Sequence, residues 1–471
     1  MPNYFYPKDV YPVMNQLVRE ITGQQSINVV DTQSFVSAGS LILEAGYEKV
    51  FNALAVLIGR TIIAARPYDG KLKLINEERD AFDNRVRKIS FYAKDTQASG
   101  MFNTDAYTNL AAGNDDESGV GSQWEQNPSI PVEKYFFSQY TYDYSHTEYI
   151  EQLKIAVTSE SELLDLLNGM RTEIMNDLES QKEAKNRVLI LDRIAGTKLL
   201  ADKGELGSEC CVNLTKEFNA QHGTTYSTQD LLYDHTVAFL EFFLARIKND
   251  SDMLTYRTAL FHDPMKKQIS GVDYHILRHT PKNLQRMIYN SRLFNQIKLS
   301  LAEIYHPDML ALPTQLEGVQ FWQSPEDPYK VKVKPALPEG ATSSNVELDI
   351  VVGMLFDTDA LVSNIRYDGM LATPINARHG YRNEFWHFLA SAWNDYSENG
   401  ILYYMSDNST KYFVGDGVED DFSVTATTIV SVTVNGVEQT AGTDYTFASN
   451  TITFAAGHIP ANNAIIQVVY N

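Results

Sequence analysis

A few residues in the 471-residue chain have the types and spacing that chemistry requires. His275 and His279 stand four apart in "YHILRH". On a helix that spacing puts two imidazoles on one face, where they could share a metal ion. No third ligand follows at a characteristic spacing. Asp357 and Asp359 form a DxD of the kind that holds Mg²⁺ against a sugar nucleotide. They follow an apolar stretch, "VELDIVVGMLFD", so a strand-end turn is the preferred reading. His146 and Glu148 are two apart among aromatics. They could act as an acid/base pair, but two polar residues facing solvent on a strand is the simpler account.

The remaining candidates are weaker. "NDSD" (249–252) and "DDE" (115–117) lack the spacing of a Ca²⁺ loop. Cys210 and Cys211 are adjacent and are the chain's two cysteines. Neighbouring cysteines bridge each other only with strain, so two ordinary small residues are expected, in a protein that folds in a reducing compartment. The chain contains no GxxxxGK[ST] loop, GxSxG elbow, HExxH or CxxC. No catalytic, cofactor or metal residue is therefore assigned.

Thirty-nine Lys and Arg stand against 60 Asp and Glu, a formal net charge of −21. Such a chain lacks the basic stripe of a sequence-independent DNA binder, and anionic membranes repel it. The 27 Tyr and 22 Phe are not interleaved with cations, so core and interface packing explain them better than base stacking. "VFNALAVLIGRTIIAA" (50–65) is too short to span a bilayer and is broken by Arg60, so it reads as a buried helix. "MPNYFYPKDVYPVM" does not read as a secretory signal.

The elements that would position a site follow from periodicity. Leu43, Tyr47, Val50, Leu54, Leu57 and Ile58 recur at helical spacing. "RVRKISFYAKD" (85–95) reads as a strand and opens a long Gly/Asn/Asp/Ser excursion that carries Phe102, Tyr107 and Trp124. Rings in so long a loop suggest that it lies on a partner chain. "KYFFSQYTYDYSHTEY" (134–149) is β-prone.

The clearest helix begins near Ser159, whose spacing to Glu162 has the form of a capping box. Its apolar face runs through Leu163, Leu167, Met170, Ile174, Leu178, Val188, Leu191 and Ala195, and Gly196 fits its stop. Further helices are expected from Ser227 to Asp250, over 280–305, and within "GYRNEFWHFLASAWND" (380–395). "YKVKVKPALPEG" reads as an edge strand, and 346–357 as a buried one.

From Tyr412 onward there is no Lys or Arg, while six Asp or Glu remain. Asn435-Gly436 between alternating segments marks a hairpin. Four or five short strands are expected in this terminal stretch, in a unit small enough to be marginal alone.

The order of these pieces resembles a tailed-phage major capsid protein of the Hong Kong 97-type fold. "KISFYAKDTQASGMF" is similar to the strand and tip of that family's E-loop. "YIEQLKIAVTSESELLDLLNGMRTEIMNDLESQKEAKNRVLILDRIAG" resembles the spine helix and its approach. "HTPKNLQRMIYNSRLFNQIKLSLAEIYHPDML" resembles the A-domain. "VGMLFDTDALVSNIRYDGMLATPINARHGYRNEFWHFLASAWNDYSENGILYY" resembles the closing part of such proteins. The tail is similar to small β modules of virion proteins.

The resemblance implies an α+β chain. Its parts would be an N-terminal arm and helix (1–66), an E-loop region (67–145), a P-domain with spine helix (146–255), an A-domain (256–345), a return to the P-domain (346–411), and an all-β, sandwich-like (Ig-like) module (412–471). It implies a non-enzymatic subunit of an icosahedral shell around a double-stranded DNA genome. The expected partners are copies of itself in hexamers and pentamers, a separate scaffolding protein and a portal. No cofactor, membrane or sequence-specific nucleic acid enters, and the location is the virion, assembled in host bacterial cytoplasm. Phe102, Tyr107, Trp124, Glu179, Arg187 and Arg278 are the expected subunit-interface residues. Covalent cross-linking between subunits has no supporting motif here. The competing readings are a tail or fibre protein, a nanocompartment shell and, from Asp357 and Asp359, a sugar-transferring enzyme.

Overall fold

The computed structural model describes residues 68, 70–77, 86–92, 129–136, 139–149, 160–269, 272–293, 315–337 and 343–471. Phe102, Tyr107, Trp124, the helix expected near Leu43 and the 115–117 acids lie outside them.

In chain order the strands begin with β1 (Asn76–Glu77), β2 (Val86–Phe91), β3 (Pro131–Phe136) and β4 (Gln139–Tyr149), followed by the long helix α1 (Glu160–Asp202). Then come β5 (Cys211–Asn213), α2 (Leu214–His222), α3 (Thr228–Tyr233), α4 (Thr236–Met253), β6 (Lys267–Ile269) and β7 (Val272–Tyr274). After them lie β8 (Gln285–Asn290), β9 (Gln315–Val319), β10 (Val331–Val333), β11 (Val346–Leu348), β12 (Ile350–Asp357), β13 (Leu361–Ala372), β14 (Tyr381–Asn394) and β15 (Gly400–Met405). The last stretch holds β16 (Ser409–Val414), β17 (Asp421–Ser423), β18 (Ile429–Val434), β19 (Val437–Gln439), β20 (Tyr445–Ala448), β21 (Thr451–Phe454) and β22 (Ile465–Tyr470). The class is α+β, as expected.

The chain divides into two compact units, one of Met1–Asn84, Ser138–Leu189 and Val362–Ala392, the other of Arg85–Phe137, Ile190–Leu361 and Trp393–Asn471. The first holds a sheet in the order β1-β13-β14-β4. Strand β14 pairs antiparallel with β4, from Tyr381↔Tyr149 to Ser391↔Gln139. This corrects the expected helix over 380–395. Arg382, Glu384, Trp386, Phe388 and Ala390 alternate as the buried face, a period of two that apolar residues on the other face obscured. Phe388 stacks on Tyr142 with centroids 4.7 Å apart.

The second unit is built on a sheet in the order β5-β15-β12-β8-β9. Its central strands β12 and β15 are covered on both faces, so "IVVGMLFD" and "GILYYM" are nearly continuous apolar runs. Helices α2 and α4 supply Phe218, Phe239, Phe243 and Ile247 to the same core as Val352, Leu355, Ile401 and Tyr403. Ser227 caps α3 in a reciprocal box with Asp230. Strand β8 corrects the first part of the helix expected over 280–305, of which residues 294–305 lie outside the described residues. Its buried side chains include Gln285 and Asn290, whose amides bond to backbone carbonyls of Ser251, Thr280 and Pro328.

Helix α1 runs 43 residues, about 65 Å at 1.5 Å per residue. Two expectations about it fail. It continues past Gly196 to Asp202. Val188 is 64 % exposed, because ten residues from Leu178 turn about 1000°, which misses whole turns by about 80°.

The last 60 or so residues form seven strands, more than expected, in sheets ordered β16-β22-β18-β19 and β17-β21-β20. One apolar cluster joins them, from Phe422, Val432 and Tyr445 to Ile466 and Val468. Asn435 and Gly436 both take positive φ, 52° and 81°, as a two-residue hairpin requires.

Candidate assembly interface

Strands β2 and β3 form a two-stranded antiparallel ribbon with Val86↔Phe136, Lys88↔Lys134 and Phe91↔Pro131 in register. Strand alternation splits its side chains into two faces. Val86, Lys88, Ser90, Val132, Lys134 and Phe136 are half-buried. Arg87, Ile89, Phe91, Pro131, Glu133 and Tyr135 are turned outward. Phe91 is 60 % exposed, and Ile89 and Tyr135 are each 46 %. On this outer face Arg87 pairs with Glu133, which also accepts the Tyr135 hydroxyl at 2.6 Å.

The inner face sets two lysines directly opposite each other, which is unfavourable in isolation. Asp395 resolves this. Its Oδ2 lies 2.6 Å from Lys88 Nζ and its Oδ1 lies 3.2 Å from Lys134 Nζ. The Ser397 amide and hydroxyl also donate to Oδ1, at 3.0 and 2.7 Å. Burial alone would raise the Asp395 pKa, but the Lys134 and Lys88 ammoniums and Ser397 hold it well below the usual carboxylate range. Glu398 adds a second clasp, with Oε1 2.6 Å from Lys88 Nζ and 3.2 Å from Arg278 Nε. Burial pushes its pKa up against those cations. Arg278 Nη2 donates to Ser90 Oγ at 2.6 Å. Phe136 meets Trp393 with centroids 6.3 Å apart.

The clasp sits in a wholly buried turn, residues 395–399, between β14 and β15. The turn is held to the last third of α1. Arg193 donates to Asn394 Oδ1 at 2.9 Å, and its guanidinium lies 4.6 Å from the Tyr396 ring centroid. His262 lies beneath, with Nδ1 3.0 Å from Asn399 Oδ1 and Nε2 2.9 Å from the Ile276 carbonyl. Burial lowers its pKa.

The chemical candidates become structural. Asp357 ends β12 and accepts the Thr280 hydroxyl at 2.7 Å and the Asp359 amide at 2.8 Å, the bonds of a strand-end turn. His275 and His279 flank the bridge of Thr258 to Arg278 in extended chain, so they share no helix face. His146 stands on β4 opposite Glu384. Asp250 accepts from Tyr403 and Arg246, at 2.8 and 3.0 Å. Burial pushes both the Cys210 and Cys211 thiols up to about 12, which leaves them protonated. Among the described residues no group of three or more His, Cys, Asp or Glu could hold a metal ion, and no helix is long and apolar enough to cross a membrane.

Of the expected interface residues, Arg278 belongs to the clasp. Glu179 is buried 3.8 Å from Lys73 Nζ. Arg187 pairs with Glu183, which also accepts from Tyr68 at 2.9 Å and from the Lys71 amide at 3.0 Å. Sequence reading missed Lys88, Lys134, Asp395 and Glu398. Lys88 lay in a segment read as a strand, but no signal in the sequence marked that strand's partner, and the pairing of Lys88 with Lys134 is visible only in the register of β2 and β3.

No family model matches the chain, and no curated protein matches it. Solved structures do. The capsid structure of Staphylococcus phage Andhra aligns over 70 % of this chain and 83 % of its own, with a TM-score of 0.44 at 10 % identity. The structure of the head fiber and inner core protein gp22 of bacteriophage P68 aligns over 70 % and 83 %, with a TM-score of 0.43 at 8 % identity. The capsid structure of cyanophage P-SCSP1u aligns over 70 % and 86 %, with a TM-score of 0.39 at 8 % identity.

Proposed function

We propose that this chain is the major capsid protein of a tailed bacteriophage. Many copies, in hexamers and pentamers, build the icosahedral shell around the double-stranded DNA genome. The observation that carries this reading is the β2–β3 ribbon. Its inner face is clasped to its own chain by charges, while its outer face offers Ile89, Phe91 and Tyr135 to water. An apolar stripe fixed on a stiff root matches a surface that packs on a neighbouring copy. Contacts of that kind, each weak, close a lattice by repetition. The net charge of −21 keeps such a shell from adhering to the DNA inside it.

In this reading the subunit has no catalytic task. A separate scaffolding protein and a portal complete the assembly, which forms in the host bacterial cytoplasm and ends in the virion. The C-terminal module decorates or clamps the outer surface. Electron microscopy of the purified protein tests the proposal. Closed shells or tubes are the expected result. Fibres would move the chain to the tail, and uniformly small single particles would overturn a building role.

A further inference from the structure

The terminal β module follows β15 after a three-residue connection, 406–408. A flexibly tethered appendage would leave such a connection to solvent. Here it is tied down. The Asn213 side chain donates to the Ser406 carbonyl at 2.9 Å and accepts the Ser406 amide at 3.3 Å. Asp407 Oδ1 accepts both the amide and the hydroxyl of Thr228, the first residue of α3, at 2.6 and 2.8 Å.

Past the connection, Tyr412 is 4 % exposed although it is not part of the module's own apolar cluster. Its hydroxyl reaches the Asn345 carbonyl at 3.5 Å. The module's Tyr412 and Tyr470 both feel the charges of Asp202 and Lys198, an ion pair in the last turns of α1. Lys198 Nζ also lies 5.2 Å from the Tyr404 ring, and Lys216 Nζ lies 5.8 Å from the Tyr470 ring. Lys198 and Asp202 keep 4 % and 12 % of their side-chain surface. An ion pair so buried needs surrounding walls that exclude water and leave neither charge alone. The cations of the joint come from the body, and the module contributes none after Lys411.

We propose that the module is a brace acting on its own chain. It docks stiffly through this joint, completes the burial of the end of α1, and melts together with the body. This does not rest on the shell reading and holds equally for an isolated subunit.

The test uses the full-length chain with Asp407→Ala and, separately, Tyr412→Ala. Asp407 is exposed, so its loss leaves both cores intact. Calorimetry of the unmodified chain is expected to show the module and the α1-containing body unfolding in one transition, with the 406–408 connection resistant to protease. Losing the two bonds to Thr228 should speed cleavage there about tenfold or more. Tyr412→Ala should split the melt into two transitions. A separate module transition in the unmodified chain overturns the proposal. So does an Asp407→Ala chain cut at the unmodified rate, whether or not Tyr412→Ala folds.

Discussion

A β-carbon built on Gly196 would lie 1.8 Å from the Tyr396 hydroxyl oxygen and 2.7 Å from its ring carbon Cζ. The glycine therefore sits inside α1 because another side chain occupies its β-carbon space, and it does not end the helix. Two effects oppose each other in Gly196→Ala. Alanine is the better helix former by about 1 kcal/mol. Overpacking a filled interior costs about 1–3 kcal/mol, and Tyr396, 4 % exposed, is pinned beneath Arg193. The clash should win, with a net loss of up to about 2 kcal/mol in denaturant unfolding. Tyr396→Leu in the same chain should recover part of that loss. An alanine variant as stable as the original would show that Tyr396 is free to move.

Asp395 holds both strands of the ribbon, so Asp395→Asn should leave two facing lysines without their shared partner. Breaking a buried pair costs about 3–5 kcal/mol. Lys88 and Lys134 keep 21 % and 26 % of their surface, so about 2–3 kcal/mol is expected. The pH dependence has a definite sign. A carboxylate whose folded pKa is depressed contributes stability above its unfolded pKa, near 3.9, and loses it as pH falls further. The original chain should lose stability steeply below about pH 4, and Asp395→Asn should flatten that slope. Trypsin should cut the variant's ribbon faster at neutral pH. Equal cutting and equal slopes would remove Asp395 from the clasp.

Much of this architecture was legible in the sequence, and the failures have physical causes. The ribbon strand at 86–91, the capped start at Ser227 and the Asn435-Gly436 turn carry local chemistry that decides their conformation. Strand β14 does not. Phe385, His387 and Leu389 on one face and Trp386, Phe388 and Ala390 on the other give no contrast for a period of two to stand out. Strand β8 is charged and amide-bearing, and its burial depends on carbonyls distant in sequence. The clasp was invisible for a similar reason, since Lys88 and Asp395 are 307 residues apart.

Glu384 is fully buried, and among the described residues neither carboxylate oxygen has a hydrogen-bond partner. Burial raises its pKa, and Arg382, 3.6 Å away, only partly offsets this. A carboxyl whose folded pKa is raised contributes stability that is complete below the ordinary Glu range and lost as pH climbs through the folded value. Glu384→Gln should therefore melt higher than the original at pH 8, by the equivalent of about 1–2 kcal/mol. The difference should shrink toward pH 4. A lower melt for the glutamine variant at pH 8 would mean that the pair with Arg382 is net stabilising.

The ribbon's outer face makes the sharpest demand on the proposed function. Ile89 and Phe91 are exposed within the chain, so replacing them with Asp removes little of the subunit's own packing. Single surface changes of this kind usually stay within about 0.5 kcal/mol. An interface anchor, by contrast, costs about 2 kcal/mol or more when lost, and a charge pressed into an apolar contact adds its desolvation. In a closed lattice the same loss recurs at every copy. Ile89→Asp and Phe91→Asp subunits should therefore fold with unchanged melting temperature as free chains, yet give few or no shells by electron microscopy. Arg87→Ala on the same face, which leaves the rings in place, should still assemble. If the Asp variants form shells in normal yield that withstand heat like the original, the ribbon's outer face is not where copies meet.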